Sequence, residues 1–187
     1  PQALVIDPGD DAEHVLRFLR AQRLGVAAYL LTHGHVDHIT AVADVCQAMP
    51  APVYLHPADL AWAFAPENQL PPYYAEPVSP AEPIHPLADG EERSDAGLKY
   101  RVIATPGHSP GSVCLLFPDE RVLFSGDTLF AGSVGRTDLP GGDARVLSAS
   151  LARLAKLDGK TIVYPGHGPS TRMADEKKHN FFLKGMS

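Results

Sequence analysis

The chain has 187 residues, with 22 Asp and Glu against 16 Lys and Arg and a formal net charge of -6. That length suits one domain with a sizeable core, and an acidic chain without a basic run argues against nucleic acid as a partner. No apolar run approaches the roughly 20 residues of a membrane span, so the expectation is a soluble, cytoplasmic protein acting on a small molecule, with no membrane partner.

In chain order, Leu4 to Ile6 reads as a strand ended by Asp7-Pro8-Gly9. A helix follows, with Asp10 as cap, Glu13 in capping-box position, Val15, Leu16 and Leu19 as its apolar stripe and Gly25 as its stop. Val26 to Leu31 is a buried-strand run, and Ile39, Val42, Ala43, Cys46 and Met49 then recur at helical spacing. Between them lies Thr32-His33-Gly34-His35-Val36-Asp37-His38, three imidazoles and a carboxylate in a strand-to-helix turn. Residues two apart in extended chain point the same way, so His33 and His35 can close on one ion. Asp37 and His38 fall where the chain begins to coil, on a different heading, and are candidates for a second ion. Asp7 is either a turn former or a carboxylate that orients a ligating His.

Val53 to His56 forms another strand, with His56 read as structural, and Asp59 to Ala65 looks helical. Pro66 to Pro86 holds seven prolines and no usable periodicity, so a loop or lid is expected over about 66–97, with Trp62, Tyr73 and Tyr74 as candidate pocket walls. Strand-like runs follow at Tyr100 to Ala104, Ser112 to Phe117 and Arg121 to Ser125, the last two joined as a hairpin by Pro118-Asp119-Glu120. Gly132 to Asp143 reads as a polar loop carrying Arg136, and Ala144 to Leu157 as a helix capped by Asp143. Thr161 to Tyr164 is a strand, and Ala174 to Lys184 a last helix. Alternation of helix and strand points to the α/β class. Cys46 and Cys114 read as small core residues rather than a disulfide.

Three further turns present a metal-ligand residue beside glycine after an apolar run: Pro106-Gly107-His108, Ser125-Gly126-Asp127 and Pro165-Gly166-His167. Ligands at the ends of successive strands build one cleft at one sheet edge. The set His33, His35, Asp37, His38, His108, Asp127 and His167 is all nitrogen and hard oxygen, which suits Zn, Fe or Mn. Seven donors exceed one tetrahedral ion and suit two, with Asp127 as the natural bridge because it is the only anionic donor outside the first turn. Two divalent ions lower the pKa of a shared water and polarise a bound carbonyl, so Asp37 and Asp127 are the carboxylates of a hydrolytic centre. The summed charge of ions, carboxylates and hydroxide, roughly +1, favours an anionic substrate.

The string His33-Gly34-His35-Val36-Asp37-His38, followed in order by His108, Asp127 and His167, resembles the metallo-β-lactamase-fold superfamily over nearly the whole chain. The resemblance implies a single-domain αββα sandwich with His33, His35 and His108 on the first ion, Asp37, His38 and His167 on the second, and Asp127 on both. Within it, Thr105 to Ser112 and Ser125 to Phe130 look like the short relatives of hydroxyacylglutathione hydrolase, or glyoxalase II. The family pattern further implies two strands ahead of Leu4, and full-length glyoxalase II a C-terminal helical domain; neither is in this sequence. The expected activity is hydrolysis of a thioester such as S-D-lactoylglutathione by metal-bridging hydroxide, with two divalent ions, zinc foremost, and Arg136 on a substrate carboxylate. Alternatives of the same fold are an iron-dependent persulfide dioxygenase and a lactonase or weak β-lactamase.

Overall fold

The computed structural model describes residues 1–186, and the chain divides into two units, Pro1–Leu87 with Ser94–Leu98, and Ala88–Arg93 with Lys99 onward. The first carries β1 (Gln2–Ile6), α1 (Ala12–Ala21), β2 (Gly25–Leu30), α2 (Val36–Ile39), α3 (Val42–Ala48), β3 (Val53–Leu55), α4 (Pro57–Ala63) and β4 (Ile84–Pro86). Its strands pair in chain order β1-β2-β3-β4, all parallel. Parallel neighbours need crossovers, which is why helices alternate with strands here. Their carboxyl ends share one edge, so Asp7 after β1 and the His33 to His38 turn after β2 adjoin. The core lies between the sheet and α1 and α3, with Tyr29, Leu31, Ile39, Val45 and Val53 all buried.

Several expected boundaries shift for identifiable reasons. The α1 cap is Asp11 rather than Asp10: its carboxylate accepts from His14 N at 2.9 Å. The helix after the histidine turn breaks into α2 and α3, because Ala41 N donates to Pro8 O at 3.0 Å instead of continuing the spiral. α4 begins at Pro57, with proline at a helix start where no N–H is needed. His56 caps it, Nδ1 accepting from Ala58 N at 3.2 Å, a structural role as expected. The proline-rich stretch is irregular up to Pro83, but two strands lie inside the 66–97 span expected as loop, β4 and, further on, Glu92–Asp95; β4 is held to β3 by backbone pairing that composition does not reveal.

The second unit holds most of a six-stranded sheet in the order β12-β11-β8-β7-β6-β5, built from β5 (Glu92–Asp95), β6 (Leu98–Ala104), β7 (Val113–Phe117), β8 (Val122–Gly126), β11 (Ile162–Pro165) and β12 (Thr171–Arg172). β9 (Leu129–Phe130) and β10 (Ser133–Val134) form a small ribbon, and α5 (Ala144–Leu154) and α6 (Met173–His179) complete the unit. β6, β7 and β8 form an antiparallel meander and β11 runs parallel to β8. β6, β8 and β11 therefore run the same way, and the turns after them share an edge. Leu147, Leu151 and Leu154 of α5 pack with Leu123 and Val163 of the sheet. Asp143 caps α5 as expected, its Oδ1 accepting from Arg145 N at 2.8 Å and Val146 N at 3.1 Å.

The last helix is shorter than its sequence pattern. Asn180 leaves helical geometry after α6, its amide nitrogen donating to Glu176 Oε2 at 2.7 Å and Ser133 O at 3.0 Å, and Phe181–Leu183 follow as a 3-10 turn. Among the described residues no helix is long and apolar enough to cross a membrane. Both cysteines are buried and unbridged.

Candidate metal centre

In the first unit the histidine turn leaves β2 through Leu31 and Thr32 and enters α2 at Val36. His33 and His35 precede the helix, and Asp37 and His38 lie in its first turn. The His33 ring lies 4.1 Å from that of His38 and 4.9 Å from that of His35, centroid to centroid. His38 Nε2 and Asp37 Oδ2 are 3.8 Å apart, beyond a hydrogen bond but within the span of ligands on one ion.

Asp7 organises this turn. Its backbone is left-handed, φ 46°, a conformation uncommon outside glycine and tolerated by Asp. Its Oδ1 accepts from Thr32 N at 2.7 Å, and Oδ2 accepts from Thr32 Oγ1 at 2.6 Å and from His38 Nδ1 at 3.0 Å. With the Thr32 hydroxyl proton given to Asp7, Thr32 Oγ1 takes the Nδ1 proton of His33 at 3.1 Å. Both rings thereby turn Nε2 outward, the arrangement in which partners at Nδ1 orient metal-binding histidines. Asp7, His33 and His38 also offer donor atoms within 4.8 Å of one another, but Asp7 is engaged as the orienting carboxylate. Gly9 lies against this turn so closely that a Cβ would fall 1.9 Å from Asp37 O.

Sequence reasoning missed two residues here. Asp59 of α4, fully buried, accepts from Gly34 N through Oδ2 at 2.9 Å. Asn68, in the proline-rich stretch, donates from Nδ2 to Gly34 O at 2.7 Å and Ala63 O at 2.6 Å. An acidic residue in an otherwise apolar helix was the one available signal. Of the three aromatic residues expected as pocket walls, Trp62 stands 5.2 Å from the His35 ring, whereas Tyr73 points to solvent, 79% exposed.

In the second unit His108, Asp127 and His167 follow β6, β8 and β11. Asp127 Oδ2 lies 3.6 Å from His108 Nε2 and 3.6 Å from His167 Nε2. Two ligands on one tetrahedral ion with bonds of about 2.0 Å stand about 3.3 Å apart, so one carboxylate oxygen between two imidazole nitrogens fits a metal-binding set. His108 Nδ1 donates to Arg136 O at 2.7 Å, again directing Nε2 outward. Thr105 and Thr128 hydroxyls, both buried, meet at 2.8 Å and tie the His108 turn to the Asp127 turn. Gly107, φ 135°, leaves no room for a side chain, since a Cβ would lie 2.4 Å from the Leu147 backbone. Gly135 presses on the ligand turn as Gly9 does in the first unit, a Cβ there falling 1.8 Å from Asp127 O. His167 is more than half exposed. Cys114 is buried, its Sγ 3.4 Å from Thr105 Oγ1 and donating to Ser125 O at 3.5 Å, and burial pushes its thiol pKa up to about 11.

Arg136, expected on a substrate carboxylate, spends its guanidinium on Asp138, with Nε to Oδ1 at 2.6 Å and Nη2 to Oδ2 at 2.7 Å. That hydrogen-bonded pairing holds the Asp138 carboxyl down to about 2. Its loop walls a cavity of about 300 Å³ together with Leu147 and Leu151 of α5 and Phe182.

Strand ends that carry imidazole and carboxylate, with Nδ1 partners already in place, define an α/β protein suited to a dinuclear metal site. The chain belongs to the metallo-beta-lactamase superfamily, whose family model matches residues 2–167, and its fold is the α/β metallo-β-lactamase fold that the sequence led us to expect. It is 38% identical over 189 residues to the probable metallo-hydrolase YqgX of Bacillus subtilis, covering 100% of this chain and 89% of that protein. To the hydroxyacylglutathione hydrolase GloC of Haemophilus influenzae it is 31% identical over 188 residues, covering 99% of this chain and 89% of GloC. Among solved structures it is similar to the BLEG-1 B3 metallo-beta-lactamase, with TM-score 0.91 and 42% identity over 98% of this chain and 90% of that one. A di-iron form of TTHA1623 has TM-score 0.87 and 45% identity, covering 95% and 88%. ETHE1 from Myxococcus xanthus has TM-score 0.76 and 31% identity, covering 96% and 73%. With a di-iron relative at 45% identity, the fold does not by itself select zinc.

Proposed function

We propose that this protein is a dinuclear metallohydrolase that cleaves thioesters, with S-D-lactoylglutathione as the first substrate to test. The observation that carries the reading is Asp127 Oδ2 at 3.6 Å from each of two imidazole nitrogens, a spacing that supports a carboxylate shared by two ions. In this reading His33, His35 and His108 hold one ion, Asp37, His38 and His167 the other, and Asp127 both. Zinc is the first metal to try, with iron and manganese beside it.

Two such ions, when bound, acidify a shared water and polarise a carbonyl, the chemistry a thioester hydrolysis needs. The chain's own residues supply the rest. Asp37 and Asp127 would supply the anionic ligands of the site. Asp7, Thr32 and the Arg136 carbonyl hold His38, His33 and His108 with Nε2 outward. A thiol leaving group, with a pKa of about 8.5, departs without a dedicated acid. The likeness to GloC supports glutathione thioesters as the substrate class. The Arg136–Asp138 pair means that any substrate carboxylate at Arg136 must compete with Asp138.

Apo-protein loaded separately with Zn, Mn and Fe, assayed for loss of S-D-lactoylglutathione with Asp127→Ala as control, tests the reading. Metal-dependent turnover abolished in the control is expected. Two ions verifiably bound without turnover on any thioester would end it. The likeness to ETHE1 supports a second reading, an iron-dependent persulfide dioxygenase; oxygen uptake by the iron-loaded protein with glutathione persulfide would favour it. The likeness to BLEG-1 supports lactam hydrolysis as a side activity, readable with a chromogenic lactam.

A further inference from the structure

We infer that Asp59 and Asn68 are positioning residues that clamp the peptide between His33 and His35 and so set the affinity of the ion those two histidines hold. The inference rests on the proposed assignment of His33 and His35 as ligands of one ion. Two peptide planes join these residues, and each is anchored from outside the turn. The plane before Gly34 gives its N–H to Asp59 Oδ2 at 2.9 Å, and the plane after it gives its carbonyl to Asn68 Nδ2 at 2.7 Å. Asp59 is fully buried and Asn68 nearly so. A buried carboxylate is costly unless hydrogen bonded, so retention of one against a peptide N–H calls for a purpose.

The same Asn68 nitrogen donates to Ala63 O, the last residue of α4, at 2.6 Å. α4 and the start of the proline-rich stretch therefore form one clamp. Gly34 is seated against that helix: a Cβ there would lie 3.0 Å from Ala63 Cβ and 3.1 Å from Asp59 Cβ. With both planes fixed, the Cα–Cβ directions of His33 and His35 are fixed too. His38 is oriented by a different carboxylate, its Nδ1 donating to Asp7 Oδ2 at 3.0 Å. The effect is thus expected at one ion and not at the other.

Trp62, the only tryptophan of the chain, sits on α4 with its ring 5.2 Å from that of His35. Its fluorescence is a built-in reporter for a quenching ion at His35. Cobalt(II) titrated into apo wild type, Asp59→Ala, Asp59→Asn and Asn68→Ala would be followed by Trp62 emission and by the visible cobalt bands. His35→Ala and His38→Ala identify the two binding steps. We expect Asp59→Ala and Asn68→Ala to weaken the Trp62-quenching step by about 10- to 100-fold, with the step lost in His38→Ala unchanged. Asp59→Asn, whose amide oxygen still accepts from Gly34 N, should recover most of the affinity.

A role limited to holding α4 in place would weaken both steps together or move neither, and either result overturns the inference. If Asp59→Ala does not fold by circular dichroism, Asn68→Ala and Asp59→Asn carry the same comparison. Wild type that binds cobalt without turning over thioesters would sink the proposed substrate and leave this test intact. Wild type that binds no cobalt would overturn both.

Discussion

In the first unit four candidate donors come from six consecutive residues, and side chains hold them: Asp7 on His38, Thr32 on His33, Asp59 and Asn68 on Gly34. In the second unit three donors come from three separate strand ends, and His108 is oriented by a main-chain carbonyl, that of Arg136. A compact turn has its own backbone bent away from its ligands, so orientation must be brought in by side chains from neighbouring elements. Dispersed ligands inherit their geometry from the parallel run of β6, β8 and β11. The first arrangement is open to point mutation at the side chains that hold its ligands, and the second is vulnerable at the ligands, at the glycines beneath them and at the Thr105–Thr128 hydroxyl pair that ties two of its turns together.

The largest expected effect is at Asp127, where the comparison has no redundancy. Asp127→Ala removes the one carboxylate of its unit's donor set, lying 3.6 Å from two imidazoles. Metal content measured by elemental analysis should fall from two ions to one or fewer, and turnover by about 10²-fold or more. A variant that kept both ions would break the proposed sharing.

Next come the two glycines that press on ligand carbonyls. Gly9→Ala and Gly135→Ala drive a methyl to within 1.9 Å of Asp37 O and 1.8 Å of Asp127 O, and backbone on both sides leaves nothing soft to yield. Each should lower stability by about 1–3 kcal/mol, which for a chain of this size is a melting shift of several degrees. Here the two units are expected to behave alike, because both rely on the same close backbone approach. A tolerated alanine at either position would show that the turn relaxes.

Asp7→Asn separates them again. Asn occupies left-handed backbone as readily as Asp, so the φ of 46° is kept while the charged acceptor for His38 and Thr32 is lost. Metal affinity at the His38 step should fall by about 10- to 100-fold, read by chelator competition. No equivalent variant exists for His108, whose acceptor is a peptide oxygen.

That asymmetry also decided what the sequence could reveal. The histidine turn is legible because its donors are contiguous, and His108, Asp127 and His167 because each stands beside glycine after an apolar run. The α5 cap is legible because Asp143 bonds its own neighbours. Asp59 and Asn68 act across 25 and 34 residues on a glycine, and no local pattern marks either. The acceptor for His108 is a carbonyl, which every residue carries. β4 was hidden because Ile84–Pro86 pairs through backbone while Pro83 and Pro86 read as loop. The break between α2 and α3 was hidden because it depends on Pro8 O, a group on another strand's turn.

The smallest effect should be at Arg136, and it tests the main-chain claim most directly. Arg136→Ala removes the exposed guanidinium but leaves the carbonyl that holds His108, so metal affinity should stay within about threefold, well below the roughly 10- to 100-fold expected for a lost metal-orienting partner. What should move is Asp138. Its carboxyl is held down to about 2 by the hydrogen bonds from Arg136, below the unfolded value of about 3.9. A depressed carboxylate favours the folded chain above its unfolded pKa, and that contribution disappears as pH falls through about 2. In the variant the Asp138 titration followed by NMR should rise toward the ordinary range while the His108 signals stay put. A shift of the His108 signals would mean that the side chain, and not the backbone, sets the second unit's geometry.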